Sequence, residues 1–423
     1  MAFRFVHTAD IHLDSPLRSL AMRNRDLAEL VGDATRQALV AIVDLCIEER
    51  VDALIIAGDL YDGDQTSMKT ARFLASQMQR LDEAGVSTFV IRGNHDALSR
   101  ITQELVFPPS VKVFTGRAEA APLSAGGLEV HVHGLSFAKP HAPESLLEKY
   151  RRPQPDTVNI GIMHTSVGGA ERHDPYAPCK PSDLHEWGFD YWALGHVHVR
   201  ARHEGERVVM MPGMPQGRDI NESGEKTVSL VTVHDDRRIT VEERLTSIAQ
   251  FERVRVDLLG AESWRDAADA IEQALGEARD ETRSEHLVGR LLITGATPLS
   301  WTLRRDRDLL LAEAEQRAER LGRTWIEKLE IETTSPRLNA AAADNADPLL
   351  ELGELMREAR LGQHAVRDAV ADLVKEIRDD LPAEARGFSG SDEDEFEALI
   401  DRLIAEGSDD ILARLRLDAS ETA

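Results

Sequence analysis

Residues 87–96 read STFVIRGNHD, an apolar β-forming run that stops on Gly93, Asn94, His95 and Asp96. A run of this kind reads as a buried strand whose last residues face a ligand-binding edge. Upstream, FRFVHTAD (3–10) and DALIIAGDLYD (52–62) repeat the pattern, and residues 33–50 and 67–84 between them are apolar near the helical period. Strands alternating with helices predict a parallel sheet that gathers ligands at the C-terminal ends of its strands. Downstream come LEVHVHGLSF (128–137), VNIGIMHTS (158–166), DYWALGHVH (190–198), RVVMMPG (207–213) and KTVSLVTVH (226–234). The later strands are short and closely spaced, which predicts a second sheet packed on the first. The expected fold is thus an α/β two-sheet sandwich flanked by helices, closing near residue 246.

A different rhythm follows. FERVRVDLL, ESWRDAADAIEQALGEA, LVGRLLITGAT, LRRDRDLLLAEAEQRAERL and WIEKLEIET alternate strand and helix, predicting a small α+β domain over residues 250–335. Residues 336–347 read as a linker. Residues 348–423 form an acidic region with amphipathic helices near 348–379 and 393–417, whose apolar sets include Val366, Val370, Leu373, Val374 and Ile377.

With 423 residues the chain is too long for one ordinary core, and two or three domains are expected. The formal charge of −25 weighs against a broad nucleic-acid coat. From Pro336 onward there are 10 Lys+Arg against 22 Asp+Glu, so the acidic tail is considered apart from any active site. No apolar run approaches the roughly 18–20 residues of a membrane span. The first residues read as a strand rather than a signal peptide. With only Cys46 and Cys179, a disulfide framework is excluded and a reducing cytoplasm is the expected location.

Five pieces at strand ends carry the chemistry: Asp10-Ile-His12, Gly58-Asp59-Leu-Tyr-Asp62, Gly93-Asn94-His95-Asp96, His164, and Gly195-His196-Val-His198. They supply carboxylates, imidazoles and one amide. That mixed oxygen and nitrogen set suits Mn²⁺, Fe or Zn²⁺ better than Ca²⁺ or a thiolate-selected metal. Residues spaced i,i+2 at a strand end can point to one side, so Asp10/His12 and His196/His198 can each act as paired ligands. Two ions about 3.5–4 Å apart could activate water and clamp the oxygens of an in-line phosphoryl displacement. Each piece alone has an ordinary role as a turn carboxylate or packed histidine. All five, in this order and at strand ends, point to a two-metal phosphoesterase. His7, His131, His133 and His234 lie within strand patterns and are expected to be packed or hydrogen-bonded. Arg92, Arg100, Arg172, Arg200, Arg202 and Arg218 flank the motifs and could form a positive rim for phosphate or DNA.

The order D-x-H, GD, GNHD, H, GHxH resembles the calcineurin-like metallophosphoesterases. The strings TADIHLDSPL, HDPYAPC and PGMPQGRDINESGEK resemble, more narrowly, the YhaO-type branch of the SbcD DNA repair exonucleases. The likeness covers residues 1–246 closely and extends more loosely to 250–335, which looks like the family's capping domain. It implies one metal held by Asp10, His12, Asp59 and His198, and a second by Asp59, Asn94, His164 and His196. It also implies two Mn²⁺ ions, with His95 meeting the scissile phosphate or protonating the leaving oxygen and Asp96 orienting the His95 ring. Asp62 stays open between turn carboxylate and site residue, because Gly63-Asp64 departs from the family's continuation. His173, in the polar loop after His164, also stays open. Implied partners are DNA and an SbcC-like ATPase docking on residues 348–423, with a homodimer as the family's common state. The alternatives are a small-molecule or nucleotide phosphoesterase and a scaffold without metals. The first has no use for the 175 or so residues after the sandwich, and the second is disfavoured by a full ligand set.

Overall fold

Parallel strands need crossovers long enough to return the chain, and the helices between the first apolar runs supply them. The computed structural model describes residues 2–15, 25–62, 67–97, 106–168, 176–335, 352, 364–381, 388–390 and 392–415. Among these, β1 (Phe3–Thr8), β2 (Ala53–Ala57), β3 (Ser87–Ile91) and β4 (Val111–Val113) run parallel. A hairpin of β11 (Thr227–Val233) and β12 (Ile239–Leu245) joins antiparallel beside β1, giving the order β12-β11-β1-β2-β3-β4. The second sheet has β6 (Leu128–Gly134), β7 (Val158–His164), β8 (Tyr191–Gly195) and β10 (Val208–Met211) in parallel. Antiparallel edges β5 (Glu119–Ala125) and β9 (Ala201–His203) complete the order β5-β6-β7-β8-β10-β9.

Alternate residues of each strand serve opposite faces. Phe5, Ile55, Val132, Ile160 and Tyr191 fill the space between the sheets, with Phe5 and Tyr191 edge to face at 5.2 Å. Val6, Leu54, Ile56 and Val90 turn the other way, against helices Arg25–Glu48 and Met68–Glu83. Trp192, Phe189, Tyr150 and Leu184 cover the far side of the second sheet.

Three sequence expectations need correction. KTVSLVTVH (β11) returns to the first sheet instead of extending the second, because its register with β1 buries Val228, Leu230, Val231 and Val233 on both faces. The first helix starts at Arg25 rather than 33, running through Gly32, whose carbonyl accepts the Thr35 hydroxyl. The edge strands β4 and β5, with no fully buried residue, were not foreseen.

The chain divides into two compact units. One is Met1–Arg253 with Glu277–Arg290 and Arg323–Glu327; the other is Val254–Gly276, Leu291–Gly322 and Lys328–Ala423. The cut falls within β13 (Ala249–Asp257), β14 (His286–Thr294) and β15 (Thr324–Ile331), which form a three-stranded sheet in that order. Helices Trp264–Glu281, Ser300–Arg305 and Arg307–Leu321 connect them. In the second unit, helix Glu393–Leu415 packs Phe396, Leu399 and Ile400 on Val374 of helix His364–Asp380, and Leu412 and Ala413 on Trp301. Part of the C-terminal apolar surface is thereby covered within the chain. Val366, Leu373 and Ile377, spaced to share one face of helix His364–Asp380, remain exposed at 46%, 58% and 47%. The expected linker 336–347 and the start of the 348–379 helix, apart from Leu352, lie outside the described residues. No helix among the described residues is long and apolar enough to cross a membrane.

Gly161 in β7 shows how tightly the second sheet is packed: a Cβ there would collide with the rings of Trp192 and Phe189. Gly161→Ala is expected to destabilise the chain by about 1–3 kcal/mol through overpacking. Denaturant unfolding with an unchanged midpoint would show that the two rings can move aside.

Candidate metal centre

The strand ends of both sheets meet where the five motifs lie. After β1, residues Asp10, His12 and Asp14 all take left-handed backbone (φ 52°, 46° and 56°), as does Asp59 after β2 (φ 49°). Such a conformation is uncommon outside glycine and is held here by cross-strand bonds. Asp10 N–H donates to the Gly58 carbonyl at 3.1 Å, His12 N–H to the Asp59 carbonyl at 3.1 Å, and Leu13 N–H to the Leu60 carbonyl at 2.9 Å. Asp14 takes a two-pronged bond from Arg36 (2.6 and 2.6 Å) and one from Thr70, tying this loop to both covering helices.

The sheets pinch together at this point. An added Cβ would strike the His164 ring from Gly58, the Asp59 carboxylate and His164 ring from Gly93, and the Ala57 carbonyl from Gly195. The glycines preceding Asp59, Asn94 and His196 are therefore demanded by close approach. Across the pinch, His196 N–H donates to Asp10 Oδ2 at 3.0 Å and His164 Nδ1 to the Ala57 carbonyl at 2.9 Å.

These bonds decide which ring nitrogens are left over. A nitrogen that faces a carbonyl or carboxylate oxygen must carry the hydrogen, so in a neutral ring the other nitrogen presents its lone pair. His164 spends Nδ1 on Ala57, and its Nε2 faces Asn94 Oδ1 at 2.9 Å and Asp59 Oδ2 at 3.3 Å, so both of its nitrogens face oxygen; burial lowers its pKa, but the Asp59 and Asp10 carboxylates outweigh it and raise it to about 9. His12 spends Nδ1 on Asp62 Oδ1 at 2.8 Å and His198 spends Nδ1 on Glu222 Oε1 at 2.9 Å, leaving their Nε2 atoms 3.3 Å apart. Lone pairs at such distances repel unless a proton or a cation lies between them. Asp10, His12 and His198 form one cluster able to hold a metal ion, and Asp59, His164 and His196 form another. Asn94 adjoins the second through His164. Asp10 is completely buried, and burial pushes its carboxyl above the usual range. Burial acts on Asp59 in the same sense, yet the His164 and His12 rings outweigh it and hold that carboxyl low. The residues fit divalent metal: hard carboxylate oxygens and imidazole nitrogens converge, those of each cluster within 4.8 Å of one another.

His95 stands beside this cluster, half-exposed, and the residue that orients it differs from the sequence expectation. Asp96 does not touch the His95 ring. Its buried carboxylate accepts the backbone N–H groups of Gly93 (2.7 Å) and Leu60 (3.0 Å), bracing the loop, and burial beside Asp59 pushes its carboxyl up to about 7. Asp62 meets the ring instead. Its Oδ1 lies 3.0 Å from His95 Nδ1 as well as 2.8 Å from His12 Nδ1, and its Oδ2 accepts the Ser15 hydroxyl at 2.6 Å. That bond raises the His95 pKa above its ordinary value.

The flanking arginines differ in their contacts. Arg200 binds Glu243 (2.8 Å) and Ser229 (2.9 Å), and Arg202 lies on edge strand β9. Arg92 engages its backbone with Ser136 and Phe137. Arg218 is gripped by Glu222 through Nη2 (2.7 Å) and Nε (3.2 Å), with Nη1 3.4 Å from the Ser15 hydroxyl. Arg218 is the arginine nearest the cluster by its bonds, and Arg100, Arg172 and His173 lie outside the described residues. His7, His131, His133 and His234 make ordinary hydrogen bonds to Tyr191 and Leu194, Thr157, Asn159 and Thr240. Glu222 was missed, although it belongs to the quoted string PGMPQGRDINESGEK; its spacing of four from Arg218 was the available signal.

Comparison with known proteins adds a lineage to this geometry. A family model described as calcineurin-like phosphoesterase matches residues 3–200, and one described as metallophosphoesterase YhaO, middle domain, matches residues 251–334. The chain is 32% identical over 351 residues to the uncharacterized metallophosphoesterase YhaO of Bacillus subtilis, covering 81% of this chain and 84% of that protein. It is 26% identical over 219 residues to the DNA double-strand break repair protein Mre11 of Sulfurisphaera tokodaii, a match spanning 50% of this chain and 54% of that one. Among solved structures, a dimetal phosphatase from Danio rerio is 14% identical and covers 58% of this chain and 96% of that chain, with a TM-score of 0.38.

The Asp62 contact makes a testable statement about charge. Because the carboxylate favours the imidazolium, Asp62→Asn is expected to lower the His95 pKa and to deplete the protonated ring at a lower pH. NMR titration of the His95 ring checks this, and an unmoved midpoint would sever Asp62 from the role.

Proposed function

The chain belongs to the calcineurin-like metallophosphoesterases, and from that premise we propose that it is a metal-dependent phosphodiesterase cleaving DNA in repair. The observation that carries the reading is the pair of carboxylate–imidazole clusters that converge beside the His95–Asp62 pair. The match to Mre11, itself described as a double-strand break repair protein, supports DNA as the substrate. We assign one metal to Asp10, His12, Asp59 and His198 and the second to Asp59, Asn94, His164 and His196, with Asp59 shared. Mn²⁺ suits this mixture of oxygen and nitrogen ligands. When bound, the two ions supply an activated water and neutralise the charge that grows on the phosphoryl oxygens.

The protein's own groups do the rest. His95 Nδ1 is committed to Asp62, so the proton it can deliver is the one on Nε2, and its natural recipient is the leaving oxygen as the phosphorus–oxygen bond breaks. Asp62 keeps the ring in that tautomer and orientation. Asp96 keeps the Gly93–His95 loop closed on Asp59, whose Oδ1 accepts the His95 backbone N–H at 3.0 Å. Arg218 is the cation placed to meet a phosphate, and Arg92 and Arg200 are lesser members of the rim.

Two substitutions separate the roles. Asp59→Ala is expected to lose both metal and hydrolysis of bis-p-nitrophenyl phosphate and DNA. His95→Ala is expected to keep the metal while kcat falls on the order of 10²–10⁴-fold. Metal analysis beside turnover with Mn²⁺ reads both. Loss of metal in step with activity in His95→Ala would make His95 a ligand, and cleavage of small esters without DNA would favour a small-molecule enzyme.

We further assign the partner surface to the C-terminal unit, as the dock of a cytoplasmic SbcC-like ATPase. The support is the exposed stripe Val366, Leu373 and Ile377, which the neighbouring helix Glu393–Leu415 leaves uncovered. Replacing all three by Asp should abolish co-purification with the ATPase while thermal unfolding and ester hydrolysis stay as in the wild type. Undiminished co-purification would move the dock elsewhere.

A further inference from the structure

Glu222 ends the short turn Ile220–Glu222, which begins with Asp219 accepting the Asn221 N–H at 2.7 Å. Its side chain is 11% exposed, and every described polar contact it makes runs to two residues. Oε1 meets His198 Nδ1 at 2.9 Å and Arg218 Nη2 at 2.7 Å. Oε2 meets the Arg218 backbone N–H at 2.8 Å and Nε at 3.2 Å. With both oxygens doubly engaged, the carboxylate has one orientation, and the His198 ring has one tautomer. From Arg218 the chain of bonds continues through Ser15 (3.4 Å) to Asp62 (2.6 Å), which carries His12 and His95. A nearly buried ion pair is a poor source of stability by itself, since desolvation offsets most of the attraction. A carboxylate on the far nitrogen of a ligating imidazole, by contrast, fixes the ring and raises the basicity of its free nitrogen.

We propose that Glu222 is a positioning residue of the metal centre: it fixes His198 directly, and through Arg218 and Ser15 it restrains the Asp62 carboxylate that orients His95. One side chain from the 212–226 segment would then set both halves of the site, the metal ligands and the proton donor. The inference rests on the metal-centre reading above.

The test uses the full chain, stripped with a chelator and titrated with Mn²⁺ alone by calorimetry. Glu222→Gln keeps the shape and removes the charge. It is expected to weaken Mn²⁺ binding about 10- to 100-fold. In a His198→Ala background the same substitution should make a clearly smaller difference, because its direct route to the metal is gone. Equal affinity in wild type and Glu222→Gln overturns the inference, as does an undiminished effect without His198. Should Glu222→Gln fail to fold, Glu222→Asp, which withdraws the carboxylate by one methylene, is expected to weaken binding in the same direction, and wild-type affinity there also overturns it. A wild-type chain that takes up no Mn²⁺ sinks the metal-centre reading itself, a failure visible before any variant is made.

Discussion

Two buried carboxylates and several imidazoles crowded into one place are an unstable gathering, and much of the sandwich around them serves to hold it. Asp10 and Asp59 are almost fully shielded from water, where like charges repel strongly. The protein answers with directed hydrogen bonds. The His196 amide serves Asp10, and the His95 amide serves Asp59. Asp62, Glu222 and the Ala57 carbonyl take the outer nitrogens of His12, His198 and His164. What those bonds leave is a crowd of carboxylate oxygens and ring nitrogens, a donor set that suits a divalent cation.

The left-handed residues follow from the same demand. A strand that simply continued past Thr8 would send Asp10 and His12 along its own direction. Bending the backbone at Asp10, His12 and Asp14 folds the loop back over the ends of β1 and β2. Such bends are individually unfavourable by about 1–3 kcal/mol each. Arg36 and Thr70 hold the loop by Asp14, so the covering helices are part of the site's support and not merely a lid on the core.

Most of the residues that converge here were readable because each terminates an apolar run, and the end of a parallel strand is where a fold of this class gathers chemistry. What the chain order could not reveal was direction. Asp96 is next to His95 in sequence, yet it points into the loop backbone, whereas Asp62 arrives from β2 to take the ring. Glu222 lies 24 residues from His198 and carries no motif of its own. β11 alternates like its neighbours, and only pairing with β1 reveals which sheet it joins. Gly32 resembles a helix boundary, but the surrounding Leu27, Val31, Ala34 and Leu39 bury enough apolar surface to carry the helix through it.

The pinch at Gly58, Gly93 and Gly195 has a bearing on motion. Where backbone nearly touches backbone across two sheets, no side chain can act as a cushion, and the layers cannot drift apart a little at a time. The contacts that hold the ligands are also the clasp between the layers, since His164 and His196 of the second sheet bond to Ala57 and Asp10 of the first. A cation that binds only the closed arrangement therefore favours it by mass action. Amide protons at the ends of β2, β7 and β8 should thus exchange with solvent on a clock set by metal occupancy, which makes deuterium uptake there a gauge of how often this protein is loaded.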